Sequence, residues 1–267
     1  MRAPAAPGGG NEGLAPAYAA VRTRLALVAA LFVVAALSWV WAARTMRGMD
    51  AGPWSDLGGL GWFLSVWVVM MAAMMLPSVA PTIALYSRLR RASSPLSPWL
   101  FAAGYLLTWT GAGLLAYGIG ISAHAALGDT LRWDSSGRNV AGVTLILAAA
   151  YELTPLKDVC LGHCRSPLGA LLGSWRDGRL GSVRMGMRNG AWCVGCCWAL
   201  MASLFALGVM SVTWMALVAG VIAAEKLIPW RGVVTFATAG LLLTLGLLLL
   251  AAPTALPGLT TPPGMTM

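Results

Sequence analysis

Apolar residues run along this chain in long blocks, broken by short clusters of Arg, Gly, Pro and Ser, with no strict polar–apolar alternation inside them. A helix of about 20 mostly apolar residues crosses roughly 30 Å of hydrocarbon, whereas the strands of a membrane barrel alternate in polarity. The blocks predict helical spans near residues 24–43, 62–85, 99–121, 139–154, 191–208, 212–228 and 233–251. The expected fold is all-α, a polytopic transmembrane helix bundle of about seven spans in a single domain over residues 21–252. A disordered tail is expected over 1–20, a flexible one over 253–267, and a cysteine-bearing loop over 155–190. The first span follows Arg22 and Arg24 as a signal peptide would. It is too long for one, and the "WVWAAR" after it lacks a small-x-small cleavage pattern, so a retained helix is expected.

Composition sharpens this picture, because 58% apolar and 10% charged residues cannot dress the surface of an ordinary soluble globule. Charge placement then sets orientation, since basic loops are retained on the cytoplasmic side. With the N-terminus inside, every Lys and Arg except Arg44, Arg47, Arg132 and Arg138 falls on that side. The expectation is an N-in, C-out, multi-pass protein of the cell inner (plasma) membrane. The net charge of +9 is then mostly topology, and nucleic-acid binding is not expected. No Walker motif, phosphorylation motif or Gly-rich nucleotide loop occurs in the chain, so neither catalysis nor nucleotide-driven pumping is expected.

In that orientation all five cysteines share one side. Cys160 and Cys164 lie in the loop "TPLKDVCLGHCRSP", and Cys193, Cys196 and Cys197 lie in the first two turns of the fifth span. A reducing compartment disfavours structural disulfides, so clustered thiols there point to metal binding or redox work. Isolated, each would be a small apolar filler. The spacings i, i+4 and i, i+3, i+4 would present each set on one helical face, and two such faces meeting would make a three- or four-thiolate site. Cys196 and Cys197 are crowded as neighbours, so one of them is expected to point away. His163, inside the first pair, is either a further ligand or a solvated loop histidine.

The runs "YELTPLKDVCLGHCRSP", "GMRNGAWCVGCCWALM" and "AAEKL", with "MMAAMMLPSVAP" in the second span, resemble a bacterial family of predicted metal-binding integral membrane proteins (domain of unknown function 2182) over roughly residues 60–230. The resemblance implies metal binding at Cys160, Cys164, Cys193, Cys196 and Cys197, with no member of the pattern missing.

Thiolates bind zinc and copper(I) alike, so the neighbouring ligand types must discriminate. Thioethers suit copper(I), and Met70, Met71, Met74 and Met75 in the second span, Met201 one turn beyond Cys197, and Met210 and Met215 further out form a ladder of soft sulfurs. Ordinary packing explains methionines equally well. Copper(I) is favoured over zinc as the bound ion, with Met70, Met74 and Met201 as candidate thioether ligands. Glu152, and Glu225 beside Lys226, stand at the cysteine level as ionisable supports around the ligands. Lys157, Arg165 and Arg188 flank the motifs and would favour thiolates. Pro77 and Pro81 should kink or end the second span.

The functional expectation is an integral membrane protein holding copper(I) or zinc for transport, delivery or homeostasis. Its expected partners are the lipid bilayer and a cytoplasmic metal donor or acceptor protein. The alternatives are a membrane thiol–disulfide redox protein and a structural or assembly partner without metal.

Overall fold

Once its side chains leave water, an apolar block must satisfy its backbone groups within itself, and a helix does this locally. The computed structural model describes residues 14–46, 58–89, 95–127, 137–173, 175–207 and 211–251. Among these the helices are α1 (Leu14–Thr45), α2 (Leu60–Leu89), α3 (Ser97–Leu127), α4 (Arg138–Glu152), α5 (Pro155–Arg165), α6 (Pro167–Leu172), α7 (Gly178–Leu207), α8 (Val212–Leu227) and α9 (Arg231–Ala251). Residues 14–20, assigned from sequence to the N-terminal tail, belong to α1. The rest of that tail, the C-terminal tail from residue 253, Met210, Arg2, Arg47, Arg90, Arg91 and Arg132 lie outside the described residues.

Among the described residues five helices are long and apolar enough to cross a membrane: α2, α7, and the segments Leu25–Thr45 of α1, Ser97–Ala123 of α3 and Gly232–Ala251 of α9. α4 and α5 make a sixth if counted together, although they are bent by 67° at their break. By length and composition the described residues thus hold five membrane-length helices, or six with the bent pair, beside the seven expected spans. α8, with 16 residues, extends only about 24 Å.

Side-chain contacts set the helix directions. α2 runs antiparallel to α3, with Phe63 against Tyr117 and Tyr86 against Phe101. α3 and α7 run parallel along a seam of small residues: a methyl group on Gly186 would stand 2.0 Å from Phe101 O, and one on Gly190 would stand 3.0 Å from Tyr105 O. α4 and α9 close similarly and antiparallel, where a methyl on Gly246 would meet Gly142 O at 2.9 Å. Small residues let backbones approach where apolar burial alone cannot drive helices together.

Two local features differ from the sequence expectation. The expected loop over 155–190 is largely helical. Thr154 caps α5 by accepting from Lys157 N at 3.4 Å, Pro155 occupies its first turn, and α7 begins at Gly178, well before its apolar block. A cap and a first-turn proline pre-organise α5, while packing on α3 extends α7 through residues too polar to mark a span. α2, in turn, does not end at its prolines, since Pro77 and Pro81 lie within the helix. Pro77 cannot donate to the carbonyl of Ala73; the Trp39 indole N–H donates to that oxygen instead, at 3.1 Å.

Candidate metal centre

Cys193, Cys196 and Cys197 occupy consecutive turns of α7, and each is 1% exposed. Their three sulfurs lie within 4.8 Å of one another, close enough to hold one ion together. Metal–thiolate bonds of about 2.3 Å place two sulfurs on one ion no more than about 4.6 Å apart. Cys164, on α5, brings its Sγ to 3.7 Å from Cys196 Sγ, and all five cysteines are free thiols. The thiols do not sit in the first two turns of the helix, as the span boundary implied. α7 starts at Gly178, and its seam with α3 puts Cys193 near the level of Thr108, roughly 16 Å along α3 from Ser97.

Neither Cys196 nor Cys197 points away. Both are buried, and their sulfurs are 3.2 Å apart, because α7 packs on several sides at once: α3, α4, α5 and α8 all contact it. Cys160 behaves differently. It is buried outside the three-thiol group, with its Sγ 2.8 Å from where a side chain on Gly195 would begin. His163 also stays out of the thiol group. Its ring stacks on Trp192, with centroids 3.9 Å apart and planes 8° from parallel, and its Nδ1 lies 3.0 Å from Val159 O. A carbonyl only accepts, so Nδ1 carries the proton.

Cations and carboxylates surround the sulfurs in an arrangement the sequence did not reveal. Lys226 does not pair with its neighbour Glu225; its Nζ lies 3.1 Å from Cys193 Sγ and 3.1 Å from Ser78 Oγ. The Tyr105 hydroxyl donates to Cys193 Sγ at 2.9 Å. Lys157 reaches inward, 1% exposed, and bridges Glu225 Oε1 at 2.7 Å and Glu152 Oε2. Glu152 Oε1 is buried without a hydrogen-bond partner. Arg165 donates to the carbonyls of Glu225, at 2.9 Å, and Ile228. Glu152 ends α4 and Glu225 stands in the last turn of α8, so two short helices stop beside the thiols and Lys157 ties their ends together. Tyr105 and Ser78 were missed from sequence: each belongs to a helix remote in the chain and carries no motif.

The candidate methionines lie on α2 and, for Met201, on α7 itself. Ser78 of α2 meets Lys226 beside Cys193, and Trp67 stacks on Phe205 with centroids 5.7 Å apart. This antiparallel register sets Met74 at the level of Cys197 and Met70 at the level of Met201, and Met70, Met74 and Met201 are all buried.

A family model, PpoB2, described as a copper chaperone, matches residues 64–249. No curated protein and no solved structure matches the chain.

Proposed function

Because the chain belongs to the copper chaperone family PpoB2, we propose that it binds copper(I) within the membrane through Cys193, Cys196, Cys197 and Cys164 and delivers it to an acceptor protein. The observation that carries this reading is the buried group of three thiols within 4.8 Å on one helix, with a fourth arriving from α5.

Copper(I) is preferred to zinc for the ligand types that surround the thiols. Thioethers bind copper(I) and neglect zinc, and the residues level with the inner end of the thiol group are Met74, Met70 and Met201. Copper(I) on two of these thiolates carries one negative charge, which Lys226 at 3.1 Å from Cys193 neutralises; zinc on three thiolates would carry the same charge, so charge does not separate the two ions. Cys160 and His163 hold α5 against α7 in this reading and do not bind the ion. The reading includes an N-in, C-out topology in the inner membrane of a bacterial cell, the cysteines on the cytoplasmic side, no enzymatic step, and the bilayer and a metal acceptor protein as partners. The narrower motif resemblance to predicted metal-binding integral membrane proteins implies the same chemistry.

Elemental analysis of the protein purified under reducing, copper-replete conditions tests it. Near-stoichiometric copper is expected, lost in a Cys193→Ser/Cys197→Ser variant. Zinc in place of copper would overturn the choice of metal. Metal-free protein whose thiols cycle to disulfides would favour a redox role instead.

A further inference from the structure

Two adjoining cavities open one to two helical turns before the thiols. The smaller, about 150 Å³, is lined by His163, Arg188, Asn189 and Trp192 among others. The larger, about 300 Å³, is lined by Arg176, Arg184, Met185 and Arg188. Met185 and Arg188 line both. Met185, Asn189 and Cys193 follow at i, i+4 and i+8 on α7, so one helical stripe leads from the cavities to the sulfurs.

Among the described residues no acidic side chain lines either cavity. Asp177, the nearby acid in sequence, accepts from the Trp175 indole at 3.2 Å. Three guanidinium groups at the mouth and the Lys226 ammonium within would repel a bare metal cation and attract an anion. A metal site behind a cationic entrance is contradictory for a free ion, but not for an ion that arrives already bound by thiolates.

We infer that the cavities at Arg176, Arg184, Arg188 and His163 are a loading port for copper(I) carried as an anionic complex of a small, carboxylate-bearing thiol; this rests on the copper-binding reading above. Transfer is ligand exchange without redox change. Each protein thiol that bonds the ion gives its proton to the carrier thiolate it displaces, so a bis-thiolate complex and two protein thiols become a protein-bound bis-thiolate and two free carrier thiols. The negative charge is conserved and passes from the arginines to Lys226. Side by side across Met185 and Arg188, the cavities suit a peptide-sized carrier, and a macromolecular donor would have to dock outside them.

The test uses the purified, reduced, metal-free full chain and follows copper–thiolate absorbance after mixing with copper(I) held by glutathione, which bears two carboxylates, or by cysteamine, which bears an ammonium group. Loading from glutathione is expected to be at least about tenfold faster at low salt, with the advantage collapsing at high salt as the charges are screened. Arg184→Glu/Arg188→Glu should reverse the preference, and Arg184→Gln/Arg188→Gln should fall between. Equal rates from both donors, a preference indifferent to salt, or charge reversal that slows both donors alike would overturn the port and leave the thiol centre standing. Failure to load from either donor would overturn the copper-binding reading itself. Faster loading from a copper-charged acidic protein than from glutathione, with the arginine variants unaffected toward glutathione, would assign the mouth to a protein donor and overturn the small-carrier inference.

Discussion

Cys193 is the best-supported sulfur of the five: the Tyr105 hydroxyl donates to it at 2.9 Å and Lys226 Nζ stands 3.1 Å away. A thiolate buried without a counter-charge is costly, so Lys226 stabilises the form that binds metal. Lys226→Met is expected to weaken copper(I) affinity about 10- to 100-fold, as loss of a residue that supports a metal ligand does. Competition against a chromophoric copper(I) chelator would measure this, and Lys226→Arg should retain most of the affinity. Tyr105→Phe removes one buried hydrogen bond and should lower stability by about 1 kcal/mol, read from unfolding in detergent. An unchanged affinity in Lys226→Met would show that the ammonium serves Ser78 and packing alone.

At the scale of elements, α5 brings Cys164 to the cluster, and two of the contacts that seat it can be tested singly. One is the Lys157 bridge between Glu152 and Glu225. Lys157→Met leaves two buried carboxylates without their cation, and a loss of about 3–5 kcal/mol is expected. Adding Glu152→Gln and Glu225→Gln should recover much of it, since neutral amides need no counter-charge. The other contact is Cys160 against Gly195. A methyl there would stand 2.8 Å from the sulfur, so Gly195→Ala should cost about 1–3 kcal/mol by overpacking. It should also lower copper retention as Cys164 moves off Cys196, which elemental analysis alongside a melting curve would detect. Retained copper with lowered stability would remove Cys164 from the ligand set. The 67° bend between α4 and α5 and the short α8 follow one pattern: helices that stop inside a bundle leave chain ends and polar groups beside a site.

For the whole molecule, the helix directions place the ends of α2, α3 and α7 that bear Arg88, Ser97 and Arg184 together, and the C-terminal end of α9 opposite. In a cysteine-free background, a membrane-impermeant maleimide is expected to label Ala251→Cys in intact cells and Leu180→Cys only after permeabilisation; the reverse pattern would invert the proposed orientation. The apolar blocks by themselves determined that the chain is helical and largely of membrane length, because helix hydrogen bonds close within four residues and hydropathy adds along a segment. The i, i+3, i+4 spacing determined that Cys193, Cys196 and Cys197 share a face, for the same local reason. The blocks did not reveal that α4 and α8 end at the thiol level, where Glu152, Lys157 and Glu225 bind one another across distant parts of the chain. Only tertiary structure decided that Lys226 turns to Cys193 and Lys157 to Glu225, that Cys196 and Cys197 both stay inside, that Cys160 leaves the cluster for Gly195, and that Tyr105 reaches Cys193. Each depends on the register at which α3, α5 and α8 meet α7. That register is set by small-residue seams and buried charge pairs, whose partners are remote in sequence and leave no periodic trace.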